Sequence, residues 1–234
     1  MFKMKSQQVA NRFSNICCTS MLCMLMVGAP VQMVWGDAYS ITAVGPNAYC
    51  PQPVTPMTNV KQTVLDAIGN MQATGDTLID LGLAWGGRMI SPSWRGQWGG
   101  TMDTNHLPMD YGAANMKKAV ILLTDGYNNI TPNYYGAYDY LSAARLGTNS
   151  QVTAKKELDK RTANACTNIK HNGDVLLYVI ALDTSSNPID GTTLAMLQNC
   201  ATDYNHFFRS PSAQDLKATF KAITDSLSKL RVSK

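Results

Sequence analysis

The chain has almost no glutamate: Glu157 is the only one among 234 residues, and charged residues together make up 15%. So little charge in a chain that is 45% apolar excludes disorder along its whole length. Acid is missing altogether from residues 1–36, which hold Lys3, Lys5 and Arg12. Without those three, 17 basic residues stand against 16 acidic ones. The formal charge of +4 therefore belongs to the leader, and the body is nearly neutral. That removes the main electrostatic support for a nucleic-acid partner.

Other absences narrow the chemistry. There is no P-loop and no G-x-G-x-x-G, so no phosphate cradle is signalled. There is no G-x-S-x-G elbow to present a serine, and His106, His171 and His206 sit in no catalytic motif. No cysteine pair has C-x-x-C spacing, and no histidine stands at metal-ligand spacing, which argues against zinc. The leader's apolar run, Ile16 to Ala29, is about 14 residues, short of the roughly 20 that span a bilayer.

What is present begins with that leader. A basic start, the apolar run and the small residues Gly28, Ala29, Gly36 and Ala38 form the pattern of an export signal or anchor. Residues 1–36 are expected to be this segment, with membrane association through it. Residues 37–58, with Gly45-Pro46-Asn47 and Cys50-Pro51-Gln52-Pro53, read as a linker. Residues 59–234 are long enough for one substantial domain.

Periodicity in the body alternates between helix and strand. Val60, Val64, Leu65, Ile68 and Met71 predict a helical face, capped by Thr58 or Asn59. Thr77 opens a second helix with Leu78, Leu81, Trp85 and Met89 as its apolar positions, and Gly82, Gly86 and Gly87 predict close backbone packing. A Trp- and Gly-rich excursion follows over 91–117. Ala119 to Leu123 is a continuous apolar run of the kind found in the centre of a parallel sheet, ending at Thr124-Asp125-Gly126. After a Tyr- and Asn-rich loop comes a helix from about Ser150 to Asn172, with Val152, Leu158, Cys166 and Ile169 inward and Gly173 as its stop.

A second apolar strand runs from Val175 to Leu182 and ends at Asp183. A helix near Thr192–Cys200 and a short strand near His206–Arg209 follow. The last helix starts at Ser212, with Asp215 three residues on as a capping box and Leu216, Phe220, Ile223, Leu227 and Leu230 as its stripe. This alternation predicts an α/β fold, a three-layer doubly wound and mostly parallel sheet. Ligands of such sheets gather at the carboxyl ends of the strands, where Asp125 and Asp183 stand.

Leu123-Thr124-Asp125-Gly126, with Gly75-Asp76-Thr77 about 45 residues earlier, resembles the von Willebrand factor A fold and its metal-ion-dependent adhesion site. The resemblance implies Thr77 as the loop threonine and Asp125 as the strand-end aspartate of a Mg²⁺ site. The family's remaining ligands come from a D-x-S-x-S motif, which this chain lacks. Asp183-Thr184-Ser185-Ser186-Asn187 comes near it but follows a late strand and ends in Asn. The site is therefore expected to be incomplete and Mg²⁺ binding weak at best. Asp125 is equally read as a turn former before Gly126, and Thr77 as a helix cap.

Further segments, Thr77 to Arg88 with Ser91-Pro92, Lys118 to Gly126, Cys166 to Lys170 and Leu230 to Lys234, are similar in order and spacing to TadG-like proteins of tight-adherence (Flp) pilus systems. This resemblance covers residues 48–234 and implies a von Willebrand A-like domain lacking its N-terminal part. The implied role is non-enzymatic: partner binding or scaffolding with pilus-assembly proteins in the bacterial cell envelope, periplasmic or membrane-anchored. Two rival readings stand beside it, a metal-assisted hydrolase using Asp125 and Asp183, and a non-functional fragment of a longer pilus protein.

Cys17, Cys18 and Cys23 lie in the leader and Cys50, Cys166 and Cys200 in the body. Cys166 and Cys200, on helices flanking the second strand, are the candidate disulfide of an exported protein, the alternative being two small buried apolar residues. Trp94, Trp98 and the tyrosines over 127–140 read either as a partner surface or as loops packing their own rings.

Overall fold

A computed structural model describes residues 53–71, 75–171, 175–210 and 212–232. The predicted leader, most of the predicted linker, Cys17, Cys18, Cys23, Cys50 and the Gly173 stop lie outside them. The chain divides into two compact units.

The first unit takes residues 53–76, 96–105 and 130–154. Helix α1 (Lys61–Gly69) begins with Val60 at its cap position and no side-chain cap, while Thr58 Oγ accepts from the Val60 N–H at 3.1 Å. Its predicted inner face is not buried: Val60, Val64, Leu65, Ile68 and Met71 are all exposed. Nine residues cannot hold a helix by propensity alone, and periodicity reports an apolar face without reporting what covers it. Short helix α2 (Gly100–Thr104) buries Met102, whose sulfur accepts from the Met57 N–H at 3.2 Å. Trp98 is buried, and Tyr135 and Tyr140 meet edge to face at 5.2 Å.

The second unit takes residues 77–95, 106–129 and 155–232, and holds the sheet. Among the described residues three parallel strands, β1 (Lys118–Thr124), β2 (Val175–Leu182) and β3 (Phe207–Ser210), lie in the order β1-β2-β3. Lys118 pairs with Val175 and Thr124 with Ala181, so both apolar runs end at the same edge. The expected mixed α/β architecture is present, with this parallel sheet packed between helices. The first apolar run, however, is not a centre strand among the described residues. β2 occupies the centre, and β1 leaves Ile121 39% and Leu123 44% exposed.

Helices α3 (Ile79–Ile90), α4 (Gln151–His171) and α5 (Gly191–Cys200) supply the larger core with one face of β2, through Leu83, Ile169, Leu197, Leu177 and Val179. Helix α6 (Ala213–Val232) covers the other face, where Ile223 meets Tyr178 and Ile180. Two expected faces shift. α3 buries Ile79, Leu83 and Ile90 rather than the predicted Leu81, Trp85 and Met89. Val152 of α4 is 68% exposed, while Leu158, Cys166 and Ile169 point inward.

Of the α3 glycines, a Cβ on Gly86 would stand 3.3 Å from Val120 and one on Gly87 3.4 Å from Ile169, whereas Gly82 faces open space. The helix thus rides on β1 and α4 along only part of its length. At the start of α6, Ser212 Oγ accepts from the Asp215 N–H at 3.2 Å and bonds the Asp215 carboxylate, the capping box read from the sequence.

Candidate functional site

β1 and β2 deliver Asp125 and Asp183 to the carboxyl edge of the sheet, but the two carboxylates differ in state. Asp183 is buried. Its Oδ1 accepts from the Ile189 N–H at 2.8 Å and its Oδ2 is paired with the Arg209 guanidinium. The Ile189 N–H and the Arg209 charge hold its carboxyl below the usual range against the opposing effect of burial. Asp125 is exposed, and its backbone carbonyl accepts from Asn187 Nδ2 at 2.8 Å.

The stretch Asp183 to Asn187 that approaches the missing motif spends its polar groups within itself and on Asp125, Ile189 and Arg209. Thr184 Oγ1 bonds the Ser186 hydroxyl at 3.1 Å and accepts from the Asn187 N–H at 3.1 Å. It builds a turn beside Asp125, not a ligand shell.

Thr77 does reach this edge. Its N–H donates to Asn129 Oδ1 at 2.8 Å and its carbonyl accepts from the Asn129 N–H at 3.0 Å. The segment before α3 is thereby tied to the loop that begins at Asp125. Thr77 is not the helix cap, since α3 starts at Ile79 and Leu78 at the cap position provides no side-chain bond.

The cap comes from elsewhere. Asn128, fully buried, accepts from the Ile79 N–H through Oδ1 at 2.8 Å. Its amide donates to Asp159 at 3.0 Å and to Thr162 at 2.9 Å. One side chain so joins the start of α3, the loop after β1 and the middle of α4. Asn128 and Asn129 escape a sequence reading because Asn in a Tyr- and Asn-rich loop signals only a turn.

Lys118 is a second residue that periodicity hides. It is buried at the start of β1, donating to the Ile90 carbonyl at 2.6 Å and to the Met109 carbonyl, with the Tyr111 ring 4.1 Å away. Burial lowers its pKa. It ties off the end of α3 and has no place at the carboxyl edge.

In the first unit, Asp76 takes Thr131 N–H on Oδ2 at 2.8 Å, while its Oδ1 is buried without a hydrogen bond among the described residues. Desolvation raises its pKa despite the Thr131 bonds.

Cys166 and Cys200 are joined as a disulfide, Cα atoms 5.1 Å apart, linking α4 to α5. Glu157 pairs with Arg161 at 3.1 Å and with Lys160 at 4.0 Å, a helix-surface pair. Lys155 turns instead to Asp159 at 2.9 Å. Trp94 packs on Trp85 with ring centroids 6.0 Å apart, and the Arg88 guanidinium lies over both rings. This part of the Trp-rich excursion packs on its own chain. Tyr127 is 48% exposed next to the Asp125 turn.

Mg²⁺ prefers an octahedron of hard oxygens. The retained candidates supply one exposed carboxylate, Asp125, and one hydroxyl, Thr77; Asp183 is committed to Arg209 and Ile189. Among the described residues no three His, Cys, Asp or Glu side chains cluster as ligands. Among the described residues these donors do not fit a tight Mg²⁺ site. No protein-family model, curated protein or solved structure matches the chain.

Proposed function

We propose that the chain carries a von Willebrand A-like domain of a bacterial cell-envelope protein, acting by partner binding or scaffolding in a tight-adherence (Flp) pilus system. The observation that carries the binding role is the state of the sheet's carboxyl edge. Asp125, Tyr127 and the Thr77 segment are gathered there by Asn129 and Asn187, with Asp125 and Tyr127 exposed. Asp183, which a hydrolase would need beside Asp125, is held by Arg209 and the Ile189 N–H and is not placed as a base or a ligand. The pilus system itself is inferred from the ordered segments Thr77–Arg88, Lys118–Gly126 and Cys166–Lys170 alone. The envelope location is inferred from the basic, acid-free leader.

The test is made in the cell that carries the chain. A reporter active only outside the cytoplasm, fused after Tyr49, should be active. A photo-cross-linking residue at Tyr127 should capture a pilus-assembly protein, and a cross-linker at buried Tyr178 should not. Reporter activity confined to the cytoplasm would defeat the location. Metal-dependent hydrolysis of phosphate or ester substrates, lost in Asp125→Ala, would replace the binding role with an enzyme.

A further inference from the structure

Arg88, in the last turn of α3, is half-buried. Its guanidinium lies 4.8 Å from the Trp85 ring centroid and 5.3 Å from that of Trp94, and among the described residues no acceptor takes its N–H groups. A basic side chain at a helix end ordinarily binds the last carbonyls. Here that work is done by others: Lys118 takes the Ile90 carbonyl, and the Ser91 N–H takes the carbonyl of Arg88 itself. Rings packed on a guanidinium hold its plane and leave its N–H fork for a ligand, the arrangement that takes a carboxylate bidentately.

Arg88 lines a cleft of about 260 Å³ within the unit that holds the sheet. Buried Leu83, Ile90 and Ile169 supply its aliphatic lining, and Trp94 and Tyr111 its aromatic walls. Of the lining residues Arg88 alone is charged, so no acid offsets it there. A second cation reinforces the sign. Lys118, 4.1 Å from the Tyr111 ring, bonds only carbonyls among the described residues, while the Asp110 carboxylate is held by Arg95 at 2.7 Å. The volume falls below the roughly 300–1,000 Å³ of drug-sized sites, so the occupant is of side-chain size. Ile90 and Tyr111 both meet Lys118 at the start of β1, the opposite end of that strand from Asp125.

We propose that this cleft binds a carboxylate carried on a flat apolar body. The Arg88 fork takes the carboxylate, and Trp94, Tyr111 and the aliphatic lining take the body. A free small acid and the last residue of a polypeptide both present this chemistry. The site uses no residue of the sheet's carboxyl edge and is independent of the pilus reading.

The test is a titration of the full chain in detergent, followed by tryptophan fluorescence. Phenylacetate should bind saturably. Phenylacetamide, the same shape without the charge, should bind about tenfold or more weakly, because the charge-assisted pair is lost. Arg88→Met keeps an unbranched side chain against both rings and has no donor. With an unchanged far-ultraviolet spectrum, it should weaken phenylacetate about tenfold or more and leave phenylacetamide as it was. Should Arg88→Met fail to fold, Ala84→Leu answers the same question. It fills the cleft from α3 with a good helix former, keeps the charge, and should abolish phenylacetate binding. An acetylated dipeptide ending in phenylalanine, as free acid and as amide, separates the two sources. If the free acid displaces phenylacetate and the amide does not, the occupant is a polypeptide end; if neither does, it is a small acid. Absence of saturable phenylacetate binding overturns the proposal. Equal affinity for phenylacetate and phenylacetamide, or phenylacetate binding that survives Arg88→Met or Ala84→Leu, overturns it equally.

Discussion

β1 and β2 are built from nearly the same residues and live in different surroundings. Val175 to Ala181 is buried at six of its seven positions, with Leu177, Val179, Ile180 and Ala181 fully enclosed between helices on both faces. Lys118 to Thr124 is covered on the side where Val120 and Leu122 meet the larger core, and open where Ile121 and Leu123 point away. The difference teaches that an apolar run reports a strand's capacity for burial. Its position in the sheet is decided by how many neighbours the rest of the chain supplies. β2 has β1 and β3 beside it, the disulfide-linked pair α4 and α5 on one face and α6 on the other. Among the described residues β1 has a strand on one side only.

The largest effect that sharpens this contrast is the disulfide, which belongs to the β2 surroundings. Its sequence separation is 34 residues. Constraining the unfolded chain over such a loop stabilises by about 3–4 kcal/mol in the chain-entropy model. The Cys166→Ala, Cys200→Ala double variant should lose most of that in urea unfolding. No loss would mean that the two helices are held over β2 without it.

Next come paired truncations. Leu177→Ala in β2 should cost about 3 kcal/mol, because a fully buried leucine leaves a cavity. Leu123→Ala in β1 should cost less than about 1 kcal/mol, as a half-open side chain has little burial to lose. Equal costs would break the comparison and place a cover over β1. Asn128→Ala should fall between them, at about 1–3 kcal/mol, since it strands the Ile79 N–H and loses the bonds to Asp159 and Thr162. Asn128→Asp should not rescue it, because a carboxylate replaces the amide donor.

The smallest effect is in the acid limb. Asp183 has a folded pKa below its unfolded value near 3.9, so its contribution is present above that value and lost as pH falls through the folded one. Asp76 has the opposite sign: its carboxyl is raised by burial, so its contribution declines as pH rises through the raised value. Urea midpoints measured from pH 6 down to 2 should fall less steeply for Asp183→Asn than for wild type. They should fall more steeply for Asp76→Asn, which removes the group that offsets the loss.

Much of this fold is legible in the residues. Both apolar runs, the order of helices and strands, and the Ser212–Asp215 cap follow from periods of 2.0 and 3.6 and from cap chemistry, which are local properties. The edge position of β1, the open face of α1 and the outward Val152 are not local. Each depends on whether a second element reaches that surface. At the candidate site, Thr77 and Asp125 are visible by motif. Asn128, Asn129 and Lys118 are not, because the carbonyls, N–H groups and side chains they satisfy lie 9 to 52 residues away in the chain. Asp183 looked like Asp125 in sequence, as a strand-end carboxylate. Arg209, 26 residues on, separates them by pairing with one and not the other.

The most direct test of the central claim, that the sheet's carboxyl edge is a binding surface with an unfinished metal shell, is calorimetric titration of the full chain with Mg²⁺ and Mn²⁺. Thr77 and Asp125 together offer too few oxygens to replace the waters that Mg²⁺ gives up reluctantly. The account predicts no tight, stoichiometric binding, and a trace that Asp125→Ala leaves almost unchanged. A tight one-to-one site abolished by Asp125→Ala would contradict it.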